Sequence, residues 1–86
     1  MDLQNLHIKD LKLGETAEIV GYESKEPAYR SRLLAMGLTK GTVLKLLKLA
    51  PFGDPVELEI RDFHLSLRKD EAAILRIRRV VIENSI

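Results

Sequence analysis

The stretch from Val56 to Arg68 limits the possible folds more than any other part of this chain. Val56, Leu58 and Ile60 alternate with Glu57, Glu59 and Arg61; Phe63, Leu65 and Leu67 then alternate with His64, Ser66 and Arg68. Strict period-two alternation predicts two strands, each with one apolar face. A two-residue turn at Arg61-Asp62 sets Ile60 opposite Phe63, Leu58 opposite Leu65 and Val56 opposite Leu67. Every inward residue then meets an inward residue, so register and face agree. Such a turn wants positive φ and usually Asn-Gly; here Asp62 must adopt it without a glycine. A lone hairpin is marginal in water, so more strands must cover its apolar face.

The rest of the chain supplies them. A first strand is expected from Glu15 to Tyr22, after a turn at Gly14. Ala17, Ile19 and Gly21 share one of its faces. Proline at a first helical position loses no hydrogen bond, so Pro27 opens the one plausible helix. Tyr29, Leu33 and Met36 form its apolar face, with Arg30 and Arg32 largely off it, and Gly37 suits the left-handed position that ends a helix. Gly41 turns the chain into a strand from Thr42 to Leu49 that is apolar on both sides. Leu44 and Leu46 make one face; Val43, Leu47 and Leu49 make the other. The favoured expectation is burial on both, by the barrel and by the short helix; the alternative is a partly exposed patch reserved for a partner. Ala50 to Pro55 reads as a long turn shaped by Pro51, Gly53 and Pro55. Lys69 to Glu71 reads as a polar break. Ala73, Leu75 and Ile77, against Arg76 and Arg78, form a last strand. The fold class is mainly β: a small closed or nearly closed antiparallel barrel of about five strands, with one short helix inserted after the first.

Length and composition remove most large classes of function. The chain has 86 residues, and a domain of that size buries only about 60% of the surface its unfolded chain exposes. A deep cleft between subdomains is not available. Residues 1–80 are expected to form one domain and residues 81–86 a C-terminal tail. With no cysteine there is no disulfide framework, thiol nucleophile or zinc–thiolate site. No apolar run approaches the roughly 20 residues needed to span a bilayer. Met1 to Lys9 mixes polar and apolar residues, which argues against a cleavable secretion signal. A cytoplasmic module without direct membrane insertion is the expectation. The formal net charge of +1 covers an asymmetry: residues 1–27 sum to −3, residues 28–60 to +2 and residues 61–80 to +3, with Glu83 completing the total. Such a gradient can steer a partner but is far from a basic stripe.

No catalytic constellation emerges. His7 and His64 lie far apart in sequence, without a companion at metal-ligand spacing, and each reads as a solvated side chain. Glu57 and Glu59 point the same way from one strand, but nothing is expected to desolvate them. The turn at Pro51 to Pro55 has one glycine and no following Lys-Ser/Thr, so it is not a phosphate loop. Arg68, Lys69, Arg76, Arg78 and Arg79 supply charge for nucleic acid. With Phe63 assigned to the core, only Tyr22, Tyr29 and Phe52 remain to stack on bases. No catalytic residue, cofactor or metal ligand is assigned.

Specific strings carry more than composition does. Arg32-Leu33-Leu34-Ala35-Met36-Gly37-Leu38 precedes Gly41-Thr42; then come Ala50-Pro51-Phe52-Gly53-Asp54-Pro55 and Leu65-Ser66-Leu67-Arg68, leading into Glu71-Ala72. In this order, over roughly residues 6–80, they closely resemble the FeoA family, small cytosolic accessory proteins of bacterial ferrous-iron uptake. The resemblance implies an SH3-like barrel with an inserted short helix. It also implies a partner, the large inner-membrane ferrous-iron permease whose cytosolic portion carries a GTPase domain. On that footing the chain is a non-catalytic interaction module that assembles or regulates the transporter. Tyr29, Arg32, Leu33, Met36, Leu47, Leu49 and Arg68 are the candidate partner-binding residues, while Gly37, Gly41, Pro51, Gly53 and Pro55 shape the motif. Arg32 and Arg68 either brace the barrel or face the partner. Asp62 departs from the glycine common at that hairpin. The apolar tail and double-faced strand make a homo-oligomer an open expectation. Two alternatives stand beside this reading: a metal- or peptide-sensing SH3-like domain similar to the C-terminal domain of iron-dependent repressors, and a small nucleic-acid-binding barrel.

Overall fold

The computed structural model describes residues 6–23, 27–50, 52, 54–61 and 63–80. After a 3-10 turn at Ile8–Asp10 come β1 (Thr16–Tyr22), α1 (Pro27–Ala35), β2 (Val43–Leu49), β3 (Val56–Ile60), β4 (Phe63–Leu67), α2 (Lys69–Ala72) and β5 (Leu75–Val80). All strand pairs are antiparallel, and the sheet runs in the order β4-β3-β2-β1-β5. A flat sheet cannot bury its own face. Here Ala17 and Ile19 of β1, Leu44 and Leu46 of β2, Val56, Leu58 and Ile60 of β3, Leu67 of β4, and Leu75 and Ile77 of β5 form one buried cluster. The sheet therefore coils round on itself, and all five strands share a core. Ile8 and Leu11 join from the N-terminal segment, Leu33 and Leu38 from α1 and its exit, and Ala72 from α2.

The β3–β4 hairpin has the expected register, with Val56, Leu58 and Ile60 opposite Leu67, Leu65 and Phe63. Arg61 takes the positive φ, at 49°; Asp62 lies outside the described residues. Phe63, assigned to the core from sequence, is instead 47% exposed. It stands at the turn end of an edge strand, where one flank has no neighbour to cover an inward-pointing side chain. Its ring lies 3.9 Å from where a Cβ on Gly37 would be, so it packs beside the end of α1.

The expected double burial of β2 is also overturned. Leu44 and Leu46 are fully inside, yet Val43 is 45% and Leu49 39% exposed. The reason is where α1 docks. Leu33 anchors it near Leu38, whose carbonyl receives the Tyr22 hydroxyl, and Val43 and Leu49 are left in part uncovered. The register shifts between Leu46 and Lys48, which leaves half-buried Leu47 in a bulge.

Lys69 to Glu71 forms α2 rather than a simple polar break, and β5 starts at Leu75, beyond Ala73. The Arg68 backbone N–H donates to Glu71 Oε1 at 2.9 Å. This reach-back from the third helical residue to the capping residue is half of a capping box. The same device holds the N-terminal turn, where the His7 N–H donates to Asp10 Oδ2 at 2.9 Å. Leu6 and Ile77 exchange backbone hydrogen bonds, which ties the start of the described chain to β5. From β5, Arg78 pairs with Glu18 of β1, and Arg79 with Glu15, just before β1, at 3.2 Å. Exposed pairs of this kind contribute little to stability.

Candidate partner-binding surface

Helix α1 has weak intrinsic stability, since nine residues form few internal hydrogen bonds relative to the cost of nucleation. It is held by what it touches. Leu33 is its one wholly buried side chain, with Tyr29 and Met36 half-buried beside it. Its C-terminus closes with Leu38 N–H on the Leu33 carbonyl at 3.0 Å and Gly37 N–H on the Leu34 carbonyl at 3.0 Å. Gly37 has φ +88° and Gly41 φ +89°, left-handed values that cost an L side chain about 1–2 kcal/mol. Gly37 and Gly41 thus sit where only glycine adopts the backbone freely.

Two polar contacts fix the helix further. The Arg30 guanidinium lies over the Tyr22 ring, 5.6 Å from its centroid. The Tyr22 hydroxyl donates to the Leu38 carbonyl. Burial pushes the Tyr22 hydroxyl above its ordinary pKa, and the Arg30 charge pulls it part of the way back. Arg32 makes the second contact: its Nε lies 3.2 Å from Glu71 Oε2. Glu71 is only 4% exposed, and that oxygen has no aligned hydrogen bond, so the Arg32 charge is what compensates it. Arg32 itself remains exposed. The first and last motifs of the sequence therefore meet in space through this ion pair.

The candidate residues do not form one patch. Tyr29 and Arg32 lie on α1, whereas Leu33 belongs to the core, and Met36, one residue past the helix, packs against that core. Leu47 and Leu49 lie on β2, away from the helix. Arg68 is exposed at the start of α2, one residue from Lys69, whose N–H donates to Asp54 Oδ1 at 3.0 Å. That bond and the Ala50 N–H on the Pro55 carbonyl at 3.2 Å hold the long turn. Pro51 and Gly53 lie outside the described residues. Phe52, between them, is 95% exposed at φ 67°.

Each histidine has a carboxylate neighbour that sequence spacing did not reveal: His7 Nε2 lies 2.9 Å from Glu23, and His64 Nε2 lies 3.2 Å from Glu59 across the hairpin. Among the described residues, no group of three or more His, Cys, Asp or Glu side chains is placed to hold a metal ion. Glu71 was missed as well. A charged residue in a polar run reads as solvated, although the Arg68-to-Glu71 spacing matched a capping box lacking its usual Ser or Thr.

A coiled five-stranded antiparallel sheet with a helix after β1 has precedents among known proteins. The model of the FeoA domain matches residues 6–79 of this chain. The chain belongs to the FeoA family. Its family is one of small non-catalytic accessory domains associated with ferrous-iron transport. A relative in Porphyromonas gingivalis (strain ATCC BAA-308 / W83), the Fe(2+) transport protein A/Fe(2+) transporter FeoB fusion protein, is 32% identical over 75 residues. The match covers 87% of this chain but 9% of that much longer protein. The solution structure of FeoA from Chlorobium tepidum superposes with a TM-score of 0.78 at 35% identity, covering 92% of this chain and 75% of that one. The zinc complex of Stenotrophomonas maltophilia FeoA, a prokaryotic SH3 domain protein, gives a TM-score of 0.71 at 21% identity, covering 84% and 88%. At that identity the likeness concerns fold alone, and it makes this FeoA domain SH3-like. Among its described residues no helix is long and apolar enough to cross a membrane.

Proposed function

We propose that this FeoA domain binds the cytosolic, GTPase-bearing portion of a membrane ferrous-iron permease and assembles or regulates it. The observation that carries the reading is the P. gingivalis relative, in which a matching segment is fused to the transporter FeoB. Fusion makes association intramolecular at high effective concentration, and separate chains with the same pairing must find each other by surface recognition. The exposed part of α1 is suited to such recognition. Half-buried Tyr29 and exposed Arg32 combine an aromatic and a cation on a helix anchored from below by Leu33, with half-buried Met36 just past its end. Tyr and Arg are enriched among residues that dominate binding energy. Arg68 would extend this surface from the start of α2. Co-purification with the permease's cytosolic portion, with and without guanine nucleotide, tests the proposal. Retention of the chain supports it; absence of association at high micromolar concentration in both conditions refutes it.

A further inference from the structure

A pocket of about 480 Å³ opens between the N-terminal 3-10 turn, the facing ends of β2 and β3, and α2. Its buried floor is Ile8, Val56 and Ala72, and half-exposed Leu49 forms one wall. Lys9 and Lys69 stand exposed at its rim, and neither side-chain ammonium forms an ion pair among the described residues, although the Lys69 backbone N–H donates to the Asp54 carboxylate. The rim also carries Glu23, but that carboxylate is occupied by His7 at 2.9 Å and Arg76 at 4.0 Å. The pocket is thus apolar inside, with two lysine ammonium groups outside that form no ion pair among the described residues.

We infer that this pocket is a docking site for a short acidic segment of the partner protein, one that inserts a large apolar side chain and sets carboxylates against Lys9 and Lys69. The inference rests on the interaction-module reading and names the chemistry of its partner. Charge complementarity selects the occupant. A concave apolar site gives affinity to a buried Leu, Met or Phe anchor, while rim charges steer encounter and discriminate between acidic and basic partners. A second copy of this chain fits less well, because the most exposed apolar knob among the described residues, Phe52, is followed closely by Asp54, whose carboxylate already accepts the Lys69 N–H within its own chain. Helix α2 links this pocket to the α1 surface, since Glu71 pairs with Arg32 while Lys69, Ala72 and Ala73 line the pocket. One partner can therefore engage both.

The test is an amide-shift titration of the full chain with two probe hexapeptides, acetyl-Glu-Asp-Leu-Phe-Asp-Glu-amide and a counterpart with lysine at the four acidic positions. The acidic probe is expected to shift the Ile8, Leu49, Val56 and Ala72 amides, and the basic one to leave them in place. Lys9→Glu with Lys69→Glu is expected to weaken the acidic probe by about tenfold or more. Ala73→Trp, at an exposed position where it fills the pocket without disturbing the core, is expected to abolish binding. Equal response to both peptides, shifts confined to Tyr29–Met36, or no shift up to millimolar peptide overturns the inference. Pocket shifts that follow the chain's own concentration overturn it in favour of a second copy. A parallel titration against the permease's cytosolic portion separates this inference from the broader reading. If the unmodified chain and Ala73→Trp bind that portion equally, the pocket inference falls and the module reading stands. If the unmodified chain does not bind that portion while the acidic probe still shifts the pocket amides, the pocket stands and the permease reading falls.

Discussion

Replacing Leu33 with alanine should both destabilise the domain and release α1. Leu33 is completely buried and is the one wholly buried side chain of a helix of nine residues. Leucine-to-alanine changes at such sites cost about 2–5 kcal/mol, the spread reflecting how far the surroundings relax into the cavity. Relaxation is limited here, because Leu38 and the strands around Leu33 are themselves close-packed core, so a loss near 3 kcal/mol is expected. For a domain of this size total stability is on the order of 4–13 kcal/mol, and the variant should remain folded at low temperature but with a sharply lower midpoint. Urea denaturation followed by far-ultraviolet circular dichroism measures the loss, and hydrogen exchange locates it. The amides of Met36, Gly37 and Leu38, which close the helix on Arg32, Leu33 and Leu34 carbonyls, should lose protection before those of β1 and β3. A loss under 1 kcal/mol, or equal loss of protection in helix and sheet, would refute the view that one side chain anchors this helix.

Three further perturbations address the contacts around the same helix. Gly37→Ala should cost about 1–2 kcal/mol through backbone strain alone, since its Cβ would meet only the Phe63 ring at an ordinary 3.9 Å; an unchanged denaturation midpoint would contradict the left-handed assignment. Arg32→Ala should cost about 1–3 kcal/mol by leaving a buried carboxylate uncompensated, and Glu71→Gln in that background should recover part of it, as read from a double-mutant cycle. Tyr22 is held neutral by burial, so its folded pKa lies above the ordinary value of about 10. Its contribution is therefore complete below that value and declines as pH rises through the folded pKa, because the unfolded chain ionises first. Thermal melts at increasing alkaline pH should fall less steeply for Tyr22→Phe than for the unmodified chain.

Much of the barrel was legible in the residues. Alternation from Val56 to Leu67 set a register that the ladder reproduces pair by pair, and Pro27 and Gly37 marked the helix ends. What escaped sequence reasoning depends on neighbours that lie far away along the chain. Phe63 alternates like a core residue, but only the sheet order reveals that it ends an edge strand. The outer face of β2 is as apolar as a covered face, and its exposure follows from where α1 docks, which periodicity does not encode. Glu71 reads as one charge among several in a polar run; its burial depends on Arg32, which lies on another element. The pocket was invisible for the same reason, since Ile8, Leu49, Val56 and Ala72 share no local pattern and meet only once the sheet has coiled.

If the exposed side of α1 recognises the ferrous-iron permease, a single carboxylate placed on that side must weaken the complex. Calorimetric titration of the permease's cytosolic portion with the unmodified chain and with Tyr29→Asp decides the matter. Tyr29 is half-buried on the helix surface, and a carboxylate there must lose its water on binding. Saturable binding is expected for the unmodified chain. The variant should bind about tenfold more weakly or worse, with its circular dichroism spectrum unchanged. Equal affinities for the two folded chains would show that α1 is not the recognition surface.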